Sequence, residues 1–160
     1  MMKYLFRFRA WLERVPYSLL ALPLRFSVAW IFWNAGQVKL INWQRTIELF
    51  RDEYRVPVLP PEAAATMALS IELTAPVLLI LGLFTRAAVL VLLGMTAVIQ
   101  TFVYPDAWPT HLQWTAMNLV LLCRGAGFLS VDHFLWSRRL QRFKATTVQT
   151  TSTTPKGQAP

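Results

Sequence analysis

Glu72 stands in TMALSIELTAPVLLILGLF, residues 66–84, an otherwise apolar run in which Pro76 follows it by one helical turn. An ionised carboxylate in such a run is costly unless it is turned inward, paired or protonated. It therefore marks either a structural ion pair or a site for a proton or a ligand. The partner the sequence suggests is Arg25, which sits inside a second apolar run, LPLRFSVAWIFWNAGQ. Pro76 has no N–H to give the Glu72 carbonyl, which leaves an acceptor for water, a side chain or a ligand. Further polar residues gather along the other apolar stretches: Asn34 and Gln37, then Thr96 and Gln100 four apart, then His111, Thr115 and Asn118 in a helical stripe. Together they could line a pocket; taken singly, each is as readily an interhelical hydrogen bond.

Several chemistries are excluded by what is missing. His111 and His133 lie at opposite ends of the last apolar run, so the chain alone builds no intramembrane bis-histidine haem. Cys123 is the single cysteine, which rules out an intrachain disulfide and a CxxC redox pair. No zinc spacing, phosphate-cradling glycine loop or nucleophile elbow is present, and Met67, Met95 and Met117 read as packing residues. No metal and no intrinsic cofactor are expected. The excess of 16 Lys+Arg over 8 Asp+Glu flanks apolar runs instead of forming one patch, which points to membrane topology and away from nucleic acid.

The elements that must position these residues are membrane helices. Hydrophobic residues make up 55% of the chain, with seven Trp, and the mean hydropathy is +0.40. Four apolar runs, 17–37, 63–83, 87–103 and 107–123, span about 25 to 31 Å at about 1.5 Å per residue, enough for a bilayer core. The fourth is the weakest, with Pro109 and His111 at its start. The expected fold is all-α: an integral membrane four-helix bundle, one domain over residues 1–144. Between the first two spans, Trp43, Ile47, Phe50 and Tyr54 recur at helical spacing, which predicts an outer amphipathic helix on the bilayer or capping the bundle. After GAG, the stretch HFLWSRRLQRFK predicts a cytoplasmic interfacial helix, and residues 145–160, rich in Thr, Ser, Gly and Pro, predict a disordered tail. Lys and Arg concentrate at both termini and at the Arg86 turn, which predicts cytoplasmic termini in a prokaryotic inner membrane. Counting rises from the same inner edge puts Arg25 about 12 Å deep and Glu72 about 16 Å deep, within reach of a guanidinium.

LPLRFSVAWIFWNAGQVKL, then SIELTAPVLLILGLFTRAAVL, then RGAGFLSVD resemble the DoxX family of small four-helix prokaryotic membrane proteins, over about residues 16–136. The matching positions are Arg25, the Gly36 to Lys39 GxxK, Glu72, Gly82 and Arg86, and the signature Gly125, Gly127, Ser130 and Asp132. Ala126 stands where the family often has proline. The resemblance implies a fold more than an activity: an accessory or quinone-contacting membrane subunit of a redox or stress-defence system. The candidate ligand-binding set is then Arg25, Glu72, Asn34, Gln37, Lys39, Gln100, His111 and Asn118, with a quinone as the ligand and a protein partner or a second copy beside the lipid bilayer. The other two readings are a small transporter for metal or stress defence and a membrane anchor without catalysis.

Overall fold

The computed structural model describes residues 2–135, and these are helical with no strand among them. The helices are α1 (Met2–Glu13), α2 (Tyr17–Ile41), α3 (Trp43–Leu49), α4 (Pro61–Leu81), α5 (Thr85–Val98) and α6 (Trp108–Arg124). A further helical turn begins at 131–135. Three helices are long and apolar enough to cross a membrane: Tyr17–Ile41, Pro61–Leu81 and Thr85–Val103. They match the first three expected runs, with α2 continuing four residues past residue 37. The run at 107–123 forms α6, which at 17 residues is shorter and packs on α5 and α2. Most of the segment expected as a C-terminal interfacial helix, and all of the 145–160 tail, lie outside the described residues.

Small residues set the tightest contact. Ala21, Ala29 and Gly36 of α2 and Ala65 and Ala75 of α4 are buried, and these two helices share the most extensive interface. A Cβ on Gly36 would lie 2.9 Å from Leu73 Cδ2 and 3.1 Å from Glu72 Cβ, so a side chain here would crowd both, and glycine eases the close approach of the two helices. Phe32, Leu79, Leu92 and Leu121 fill the centre, one from each of α2, α4, α5 and α6. On the exposed face of α4, Thr66, Ser70 and Thr74 each return their hydroxyl to the carbonyl four residues earlier, which satisfies these groups without water.

The amphipathic segment caps the bundle. Asn42 accepts from Arg45 N to start α3, Ile47 and Phe50 are buried, and Phe50 packs with Ala64 and Ala65 of α4. α3 ends in a π-helical turn, Phe50–Tyr54, and α5 ends in another, Ile99–Val103. Such wide turns re-aim side chains, and here they bring Tyr54 and Tyr104 together, ring centroids 5.8 Å apart.

Candidate functional site

Arg25 and Glu72, expected as partners, belong to two separate sites. Arg25 donates from Nε to Leu79 O at 2.7 Å, from Nη2 to Ile80 O, and from Nη1 to Ala126 O at 3.1 Å and Leu129 O at 2.8 Å. It is a buried staple between the last turn of α4 and the loop after α6, supplying charge-assisted donors to carbonyls that a helix end leaves open. The expected pairing failed on register. Gly36, not Arg25, lies level with Glu72, and eight residues of α4, about 12 Å, separate Glu72 from the Ile80 carbonyl that Arg25 holds.

The glycine signature completes this scaffold. Gly82 adopts φ +64° and closes α4 with its own N–H on Leu79 O and that of Leu83 on Leu78 O. Gly127 packs so closely on Ser18 that a Cβ would sit 2.8 Å from Ser18 Cα. Ser130 donates to Gly127 O and accepts from His133 N. Asp132 accepts from Phe84 N at 2.8 Å and Thr85 N at 3.0 Å, capping α5 from 48 and 47 residues away. Arg86 bonds to Leu122 O, joining α5 to α6. Gly82, Arg86, Ser130 and Asp132 thus hold helix ends, and none of them touches the cavity described next.

The partner of Glu72 is Lys39. Its Nζ donates to Glu72 Oε1 at 2.7 Å, with the lysine side chain 19% exposed and the glutamate 2%. One turn separates Gly36 from Lys39 on α2, so the glycine that admits Glu72 also aims the lysine across it. Glu72 Oε2 is buried with no hydrogen-bond partner. A buried carboxylate oxygen without a donor is costly, and it identifies the place where a ligand, water or proton belongs.

Both residues line a cavity of about 430 Å³ between α2, α4, α5 and α6, closed on one side by the Phe50–Tyr54 turn and the loop after it. Its wall is overwhelmingly apolar, from Ile31, Met67, Ile71, Met95 and Trp114, and its polar points are Lys39, Glu72, His111, Tyr54 and Tyr104. Tyr54 and Tyr104 share a hydroxyl–hydroxyl hydrogen bond of 3.1 Å at the rim. Burial first, then that bond, push the Tyr54 phenol well above its ordinary value, so it stays protonated. His111 is buried, with Nδ1 2.7 Å from Gln100 Oε1. Gln100 Nε2 is committed to Pro105 O, so Oε1 accepts and Nδ1 carries the hydrogen.

Of the expected set, Lys39, Glu72 and His111 therefore line one cavity, and Gln100 acts through His111. Asn118 is fully buried but bonds back to Trp114 O and is not part of the wall; Asn34 is exposed and Gln37 half-buried, both outside it. Tyr54, Tyr104 and the apolar wall were missed as site residues. Tyr54 had the pattern of a capping helix, and nothing in a one-dimensional spacing brings it to Tyr104.

The sequence model of the DoxX family matches residues 20–105. This stretch holds Arg25, Gly36, Lys39, Glu72, Gly82 and Arg86 and stops short of His111 and the 125–132 signature. An uncharacterized protein of Haemophilus influenzae is 31% identical over 121 residues, covering 69% of this chain and 80% of that protein. No solved structure matches the chain. On the family match and on this relative, the chain is a member of the DoxX family.

Proposed function

We propose that this membrane protein is a ligand-contacting accessory subunit of a redox or stress-defence system, and that its ligand is a small amphiphile of the quinone class held over Lys39 and Glu72. The observation that carries this reading is Glu72, which with Lys39 lines a 430 Å³ apolar cavity and whose Oε2 is buried with no hydrogen-bond partner. The residues fit such a ligand. The Lys39 ammonium has donors for a carbonyl, the Glu72 carboxylate has an acceptor for a hydroxyl, His111 adds a polar ring, and the wall takes an apolar ring and the start of a tail. A quinone would supply the redox chemistry; the chain's own residues bind its polar head, exclude water and hold a proton near Glu72. Electron transfer then belongs to a partner.

In this reading residues 1–144 form one domain in a prokaryotic inner membrane and α6 is a fourth span, about 26 Å long at 1.5 Å per residue. Both termini are cytoplasmic, because Lys and Arg cluster there and at Arg86. Reporter fusions after Lys144 and near Asp52 should read cytoplasm and exterior respectively; an exterior C-terminus overturns the orientation. The ligand is tested by purifying the protein in mild detergent and analysing its solvent extract. Quinone at a stoichiometric level in the wild type and depleted in Glu72→Gln supports the reading. Equal, substoichiometric quinone in both overturns it.

A further inference from the structure

α1 buries nothing. Its 12 residues reach about 18 Å, too short to cross a bilayer, yet it carries large apolar side chains on its surface. At about 100° per residue, Tyr4, Leu5, Phe8, Trp11 and Leu12 fall within one arc of about 120°. Phe8 and Trp11 stack at 6.1 Å, and all five are between 48% and 77% exposed. Lys3 and Arg7 run along one flank of this arc, Arg14 follows in the turn that ends the helix, and none of the three forms an ion pair among the described residues. On the other flank Arg9 is neutralised by Glu13 at 2.9 Å. Phe6 alone of the aromatic residues stands on the far face.

The attachment of α1 fixes what it can meet. Pro16, extended at φ −68° and ψ 139°, breaks the chain between α1 and the membrane-crossing α2. Just beyond it, Tyr17 donates to Gly125 O at 2.8 Å and Ser18 Oγ accepts from Phe128 N. α1 therefore leaves the bundle at the end where Phe128 and Leu129 are also exposed. An apolar arc bordered by uncompensated cations, tethered at the edge of a membrane helix, matches a bilayer interface that is apolar below and anionic at its surface.

We infer that α1 is an interfacial helix that docks on anionic phospholipid, burying Tyr4, Leu5, Phe8, Trp11 and Leu12 among the acyl chains and setting Lys3, Arg7 and Arg14 against lipid phosphates. It thereby ties the scaffold end of the bundle to the charge of one leaflet. The inference does not depend on the cavity or its ligand.

The test uses the full chain with Cys123→Ser and single nitroxide labels at Phe8→Cys, Trp11→Cys or Arg7→Cys. The protein is reconstituted in phosphatidylcholine vesicles with and without phosphatidylglycerol. With the anionic lipid, labels at positions 8 and 11 should relax with oxygen and be shielded from a water-soluble nickel chelate at least fivefold more than the label at 7. That contrast should fall several-fold in phosphatidylcholine alone, and the oxygen-over-nickel preference of the label at 8 should itself fall several-fold when Lys3→Gln, Arg7→Gln and Arg14→Gln are combined with it. Uniform nickel access around α1 overturns the inference. So does equal immersion in both lipids, because the charge would then play no part, and so does spin–spin broadening between copies, which would place the arc against a second chain. α1 buries no residue, so these changes leave the bundle intact, and circular dichroism verifies it.

Discussion

Breaking the Lys39–Glu72 pair from either side should not cost the same. Glu72 is the deeper partner, with 2% of its side chain exposed, whereas Lys39 keeps 19%. Lys39→Met strands a carboxylate that cannot reach water, and removing one partner of a buried pair costs about 3–5 kcal/mol. We take about 3 kcal/mol, since the carboxylate can take up a proton. Glu72→Gln strands an ammonium on a flexible four-carbon stem that can swing toward the open side of the cavity, so the expected loss is smaller, about 1–2 kcal/mol. The double substitution removes both charges and should cost less than the sum, leaving a coupling energy of about 2 kcal/mol. Arg25→Met with Glu72→Gln should instead be additive within about 0.5 kcal/mol, because about 12 Å of α4 and no shared partner lie between them. Unfolding in mixed micelles by increasing SDS fraction, followed by circular dichroism, gives all the values. Additivity at 39 and 72, or coupling at 25 and 72, would refute the register on which both sites rest.

Arg25→Lys keeps the charge but loses the planar fork that reaches four carbonyls, and should cost on the order of 2 kcal/mol and open the 125–130 loop to limited proteolysis. Gly36→Val forces a side chain into Leu73 and Glu72 and should destabilise by about 1–3 kcal/mol in the same SDS titration, with shifts of the residue 39 and 72 environments visible by NMR. Asp132→Asn retains one acceptor but loses the charge on the two N–H groups at the start of α5, and should cost about 1 kcal/mol, read as faster amide exchange at Phe84 and Thr85.

How much of this was legible depended on whether the signal was local. Helix positions followed from uninterrupted apolar runs and from their stops, because Pro61, Gly82 and Gly125 punctuate the chain as sequence rules require. Glu72 was identifiable as a special residue because a carboxylate in an apolar run has few bland explanations. Its partner was not, since two antiparallel helices can slide by a turn or more without changing either pattern. The clue that fixes their register was the glycine at 36, whose missing side chain marks the point of closest approach, with Lys39 one turn beyond. Arg25 misled for a related reason: its four acceptors are backbone carbonyls, which every sequence supplies and none advertises. The Tyr54 and Tyr104 contact depends on two π-helical turns, and no residue pattern in FRDEY or IQTFV announces the switch to hydrogen bonds five residues apart.

The measurement that bears most directly on the account is equilibrium binding of a short-tailed quinone to the purified protein, read through Trp114 on the cavity wall, with Trp114→Phe as the optical control. Wild type and Arg25→Lys, both folded at the assay temperature, should bind alike, while Glu72→Gln and Lys39→Met should each weaken binding by tenfold or more. Loss of binding in Arg25→Lys with full binding in Glu72→Gln would contradict it, placing the ligand at the staple and leaving the Lys39–Glu72 cavity without a function.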